Sequence, residues 1–130
     1  MINNNYLRLI DKLIDATKEN RINWQQTTRD NEYQIEINGY SIAVLYISKS
    51  PFSIDLDKTA TCTISLINEE GVTVDTCSIS SNEEGFEAAV TLYKEAKRSY
   101  YKVDDVLKEL TESIWVHEDF SRTIHVPRDT

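Results

Sequence analysis

The sequence predicts an α+β fold: an N-terminal helix, an antiparallel meander of about five strands, and two C-terminal helices packed on one sheet face. Three observations carry this expectation. Tyr6, Leu9, Ile10, Leu13 and Ile14 recur at three- and four-residue steps, which is one apolar stripe of an amphipathic helix between Asn3 and Glu19. Asn38-Gly39 stands between two alternating apolar runs, where it supplies the paired positive φ angles of a type I′ hairpin turn. Helical spacing then returns in Phe86, Ala89, Val90, Tyr93, Ala96 and Tyr100, and again in Val103, Val106, Leu107, Leu110 and Ile114.

Taken in chain order, the first helix ends near Asn20, and "INWQQT" places Ile22 and Trp24 on one face of a short strand before the turn at "RDN". Tyr33, Ile35 and Ile37 alternate with polar residues up to the Asn-Gly turn. Beyond it, Tyr40, Ile42, Val44 and Tyr46 alternate with Ala43, Leu45 and Ile47, so this strand is apolar on both sides and belongs at the centre of the sheet. "SKSPFSIDLDKTA" interrupts the sheet at Pro51 and reads as a loop with edge-strand character. Two further strands, Thr61 to Asn68 and Val72 to Ile79, are joined by "NEEG", with Gly71 in the left-handed bulge position after a type I turn. Ser81 and Glu84 form a capping-box pattern that starts the next helix, and Glu83, Glu84 and Glu87 load its first turn. A bend is expected near Lys102, with Asp104 capping the second piece. Residues 1–114 read as one domain and 115–130 as a C-terminal extension, in which Thr123 to Val126 could add a strand or an arm.

With 130 residues, 40% of them apolar and 28% charged, the chain is long enough to bury one core without staples. A net charge of -8 argues against nucleic acid and anionic membrane as partners and leaves another protein as the expected one, with self-association open. Arg8, Asp11, Lys12 and Asp15 interrupt the first helix, so no signal peptide or membrane span is read there and a cytoplasmic location is expected. In that compartment Cys62 and Cys77 are expected to be thiols. The apolar pattern of their hairpin places Leu66 opposite Val74, Ile64 opposite Thr76 and Cys62 opposite Ser78, with Cys77 on the other side of the sheet.

The run "LYKEAKRSYYKVDDVLKEL", in which a helix ending in paired bases leads into "VD-VL-EL", resembles a pattern of small uncharacterised bacterial α+β proteins. The "INGY" hairpin and the preceding Trp24 are similar too. The resemblance covers roughly Ile22 to Leu110; it implies the fold and no activity.

Signatures of catalysis and cofactor binding do not stand out. Gly39, Gly71 and Gly85 are isolated, so no phosphate cradle is present, and neither a nucleophile elbow nor a cysteine signature appears. "HED" at His117 to Asp119, with His125, lacks metal-ligand spacing, and "DLD" at Asp55 to Asp57 is too short for a calcium loop. No metal, cofactor or catalytic residue is therefore assigned. Asp104 and Asp105 read as helix-initiating carboxylates.

Two surface features remain. Phe52, Ile54 and Leu56 follow Pro51 in the longest inferred loop and are a candidate partner contact, or else they close the end of the core. Arg98, Tyr101 and Lys102 sit at the bend and are a candidate anion contact, although acids at the start and bases at the end of a helix are also what its dipole favours. The leading functional expectation is a small acidic protein-binding or regulatory module without catalytic activity, of inhibitor, immunity or accessory type. The alternative is a small-molecule binder or enzyme with a pocket between the sheet and the C-terminal helices, lined by Trp24, Tyr93, Tyr100 and Tyr101.

Overall fold

The computed structural model describes residues 3–48 and 60–124, with side chains as far as Ile114. Its elements follow the order α1 (Asn4–Lys18), β1 (Gln25–Gln26), β2 (Glu32–Ile37), β3 (Tyr40–Ser48), β4 (Ala60–Ile67), β5 (Thr73–Ser80), α2 (Phe86–Tyr101) and α3 (Val103–Ile124). The five strands form an antiparallel meander in sequence order. Among the described residues, no helix is long and apolar enough to cross a membrane.

Both ends of α1 are capped by asparagine. The Asn3 side chain accepts from the Asn5 amide at 2.6 Å, and Asn20, at φ 58°, lets the Arg21 amide return to the Ala16 carbonyl at 2.9 Å. Trp24 does not join a strand; it precedes β1 and is 1% exposed. Its indole N–H donates to Thr17 Oγ1 at 2.9 Å, and the Thr17 hydroxyl donates to the Leu13 carbonyl at 2.6 Å. This chain of bonds ties the loop to α1 and satisfies the buried indole N–H.

The β2–β3 turn has Asn38 at φ 53° and Gly39 at φ 85°, the type I′ geometry that the dipeptide predicts. Pairing of Tyr33 with Val44 and of Ile35 with Ile42 puts all four on the helix-covered face. β3 is the middle strand, and Ile42, Ala43, Val44 and Leu45 are buried in succession, as a strand apolar on both sides requires.

The β4–β5 hairpin departs from the expected register. Its turn is as predicted, with Gly71 at φ 83°, the Asn68 amide bonded to the Val72 carbonyl at 2.8 Å, and Asn68 Oδ1 accepting from the Glu70 and Val72 amides. However, Ile67 pairs with Thr73 while Leu66 pairs with Asp75, so Val74 is an extra residue and forms a bulge. Beyond it Ile64 faces Cys77 and Cys62 faces Ile79, which places Cys77 on the same face as Cys62 rather than the opposite one. Burial of Ile79 at 2% exposure explains the correction: without the bulge Ser78 would point into the core and Ile79 into solvent. Both cysteines are free thiols.

The capping box at Ser81 and Glu84 does not form. The helix starts later, at Phe86, after Gly85 in the left-handed region at φ 93°. The intervening turn is held by Glu83, whose carboxylate accepts from the Ser80 amide at 2.7 Å. That bond holds the carboxyl below the usual glutamate range. α2 then lies across β2 to β5 with α1 alongside it. It buries Ala89, Tyr93 and Ala96 from the expected stripe and also Leu92, at 0% exposure, which the stripe had omitted.

At Lys102 the backbone turns left-handed, φ 52°, and the expected bend separates α2 from α3. Helix α3 continues through residue 114 to Ile124, so Thr123 and Ile124 are helical rather than part of a strand. Phe52, Ile54 and Leu56, and likewise Asp55 and Asp57, lie outside the described residues, as do His125 and the side chain of His117.

Candidate functional site

The space between the sheet and α2 is filled by aromatic rings. Tyr46 stacks on Tyr93 with centroids 5.3 Å apart, and Tyr33 meets Tyr93 at 5.8 Å and Tyr100 at 5.5 Å. Tyr101 closes the cluster edge-on, 4.9 Å from Tyr100 and 6.5 Å from Tyr33. Such tilted and edge contacts favour packing beyond the area they bury. The four residues expected to line a pocket are therefore not gathered around a void: Trp24 is bonded to Thr17, and Tyr93 and Tyr100 pack on other rings. Burial raises the Tyr33 and Tyr93 phenols, so they stay protonated at neutral pH.

The cysteines are equally unsuited to nucleophilic work. Burial pushes the Cys62 thiol up to about 12, and burial followed by the nearby Asp75 carboxylate raises that of Cys77. A reactive cysteine needs the opposite shift. Asp75 itself faces α1, where it accepts a hydrogen bond from the Tyr6 hydroxyl. Among the described residues no three His, Cys, Asp or Glu side chains converge as a metal site would require.

Of the three residues read as an anion contact, the structure brings two together. Arg98 and Lys102 line a cleft of about 260 Å³ between the C-terminal ends of α1 and α2 and the start of α3, whereas Tyr101 turns toward Tyr33. The cleft is not cationic. Lys18, Arg98 and Lys102 share it with Glu95, Asp104 and Asp105, and Arg98 Nη2 lies 2.6 Å from Asp104 Oδ1. Asp104 thus pairs with Arg98 across the bend, and the arginine already has an acidic partner.

The feature that stands apart is on α3. Val106, Leu107, Leu110 and Ile114 are 48%, 51%, 54% and 63% exposed, although their spacing is that of a core-facing stripe. Val103, partly buried at the bend, begins the same row. Three- and four-residue steps from Val103 to Leu107, Leu110 and Ile114 match the seam of a two-helix contact. Sequence periodicity registers this row as apolar; only the path of the chain after Lys102 shows that the other described residues leave it bare.

No family model, curated protein or solved structure matches the chain.

Proposed function

We propose that this chain is a small acidic protein-binding module of the cytoplasm, an accessory or regulatory subunit without catalytic activity. The exposed apolar row of α3 is the observation that carries the reading. Four large aliphatic side chains on one face of a helix, each about half exposed, form the kind of patch that marks a protein contact. A partner that covered them would gain roughly 25 cal/mol for each Å² of apolar surface removed from water. Supporting it against the small-molecule alternative is the ring-filled space beneath α2, where Tyr33 is 1% exposed. Two protonated thiols, one of them buried, suit a reducing compartment.

The test is capture of a partner from the cells that make the protein, using the full chain and its Leu110→Asp variant at near-physiological salt. The expected result is a protein retained by the wild type, lost with the variant, and forming a defined complex when both purified components are mixed in an ultracentrifuge. Retention of the same proteins by both forms, or of none by either, would refute the reading.

A further inference from the structure

We propose that Lys102 is a hinge at which α2 and α3 interconvert between the bent form and one continuous helix, with the Arg98–Asp104 pair as a latch on the bent form. The inference goes beyond the protein-binding reading and concerns the chain without any partner. The two helices share one phase. In α2 the apolar stripe steps from Ala89 to Tyr93, Ala96 and Tyr100 by alternating fours and threes, and the next step of three lands on Val103, beyond the bend. The row of α3 continues from there without a slip, so a single heptad seam runs through both helices. Two separately oriented helices have no need of a common phase, whereas one helix requires it.

The break itself has no local cause in the sequence. From Phe86 to Ile124 there is no glycine or proline, the residues at which helices ordinarily end or kink. It is also one residue wide. Lys102 lies at φ 52° and ψ 48°, where the Cβ of any L-residue crowds its carbonyl oxygen. Yet its amide donates to the Arg98 carbonyl and its carbonyl accepts from the Val106 amide at 3.0 Å, the two bonds that a continuous helix makes there. Returning this residue to the right-handed region keeps both bonds, relieves the crowding, and gives the first amides of α3 the carbonyls that a helix start lacks.

Little holds the bent form against that gain. α3 meets the body mainly through α2, its row is bare, and the ion pair is 45% exposed at Arg98 and 83% at Asp104. The pair is specific to the bend, because on a continuous helix side chains meet at spacings of three or four residues and these are six apart. One strained residue and one exposed ion pair are small, opposed terms, the condition for two populated forms.

Spin labels on non-canonical residues in place of the exposed Lys94 and Glu112 leave Cys62 and Cys77 untouched, and pulsed electron resonance on the full chain then reads the distance between the helices. The sites are 18 residues apart. A continuous helix spans that in five turns, with both labels on one face about 27 Å apart, and the bent form brings them closer. Both distances are expected in the wild type. Lys102→Gly removes the left-handed crowding and weakens a straight helix, so it should raise the bent-to-straight ratio about tenfold. Asp104→Asn should lower the ratio about two- to fivefold. Raising salt from about 0.1 to 0.5 M should act in the same direction on the wild type and not on Asp104→Asn. Circular dichroism of each variant checks that the fold is kept. A single short distance unmoved by either substitution means a fixed bend and overturns the hinge. A single long distance in every form means no bend to latch and overturns it too, as does a broad spread that no variant narrows. A ratio that answers to Lys102→Gly but not to Asp104→Asn or salt overturns the latch and upholds the hinge.

Discussion

Helices α2 and α3 are consecutive, both amphipathic, and separated by one left-handed residue, yet they end in opposite conditions. α2 packs Ala89, Leu92, Tyr93 and Ala96 against the sheet and α1, while α3 holds Val106, Leu107, Leu110 and Ile114 in contact with water. The difference does not come from their sequences, since each carries a stripe at helical spacing. It comes from the course of the chain after the left-handed turn at Lys102. An apolar stripe states that a face needs covering, and the path of the chain decides whether the molecule covers it. α3 also forms on different terms. Its 22 residues exceed the length at which an isolated helix becomes tenable, and Asp104 and Asp105 in its first turn complement the helix dipole.

The sharpest way to break this comparison is to truncate one leucine in each helix. Leu92→Ala removes a fully buried side chain and is expected to cost about 2–5 kcal/mol in urea unfolding. Leu110→Ala on the bare row should stay within about 0.5 kcal/mol. Equal losses would mean that α3 is packed in solution after all.

A smaller effect is expected at the bend. Lys102 occupies the left-handed region at φ 52°, where a side chain costs about 1–2 kcal/mol and glycine avoids most of that cost. Lys102→Gly should therefore raise stability by about 0.5–1 kcal/mol net of the extra freedom of the unfolded chain. A loss instead would show that the lysine side chain contributes more at the bend than its backbone strain removes.

Smallest, and dependent on pH, is the anchor at the other end of α2. The Ser80 amide stabilises the Glu83 carboxylate, so its acidity is greater in the folded than in the unfolded chain. A lowered folded value means that the contribution is complete above the ordinary glutamate range and is lost as pH falls through the lower folded value. Wild type should exceed Glu83→Gln in stability at pH 7, and the gap should close in strong acid. A gap independent of pH in parallel urea titrations would assign the difference to packing.

Much of the fold is legible in the sequence because its signals are local. The α1 stripe, Asn38-Gly39, the "NEEG" turn and the bend at Lys102 each depend on neighbouring residues, and the structure has all four. The errors arise where one local pairing competes with another or a distant contact decides. Ser81 and Glu84 match a capping box, but the turn that follows β5 engages Glu83 instead and delays α2 to Phe86. The β5 register shows the same competition. Val72 and Val74 share one parity and Cys77 and Ile79 the other, a phase change that is itself the mark of an inserted residue. Weighing Leu66 against Val74 alone hides it. For the candidate site, the row on α3 is readable as apolar, whereas its exposure depends on the three-dimensional course of the chain.

The Val74 bulge also bears on how the protein avoids aggregating. Among the described residues, β5 has a neighbouring strand on one side only, so its other side carries backbone groups that could template a foreign strand. A bulge twists such an edge, and a charge pointing inward spoils its fit to an incoming chain. β5 has both: Val74 interrupts the ladder, and the register change it causes turns Asp75 toward α1 and Tyr6. One inserted residue thus settles the core around Ile79 and also makes the sheet margin a poor seed for fibrils.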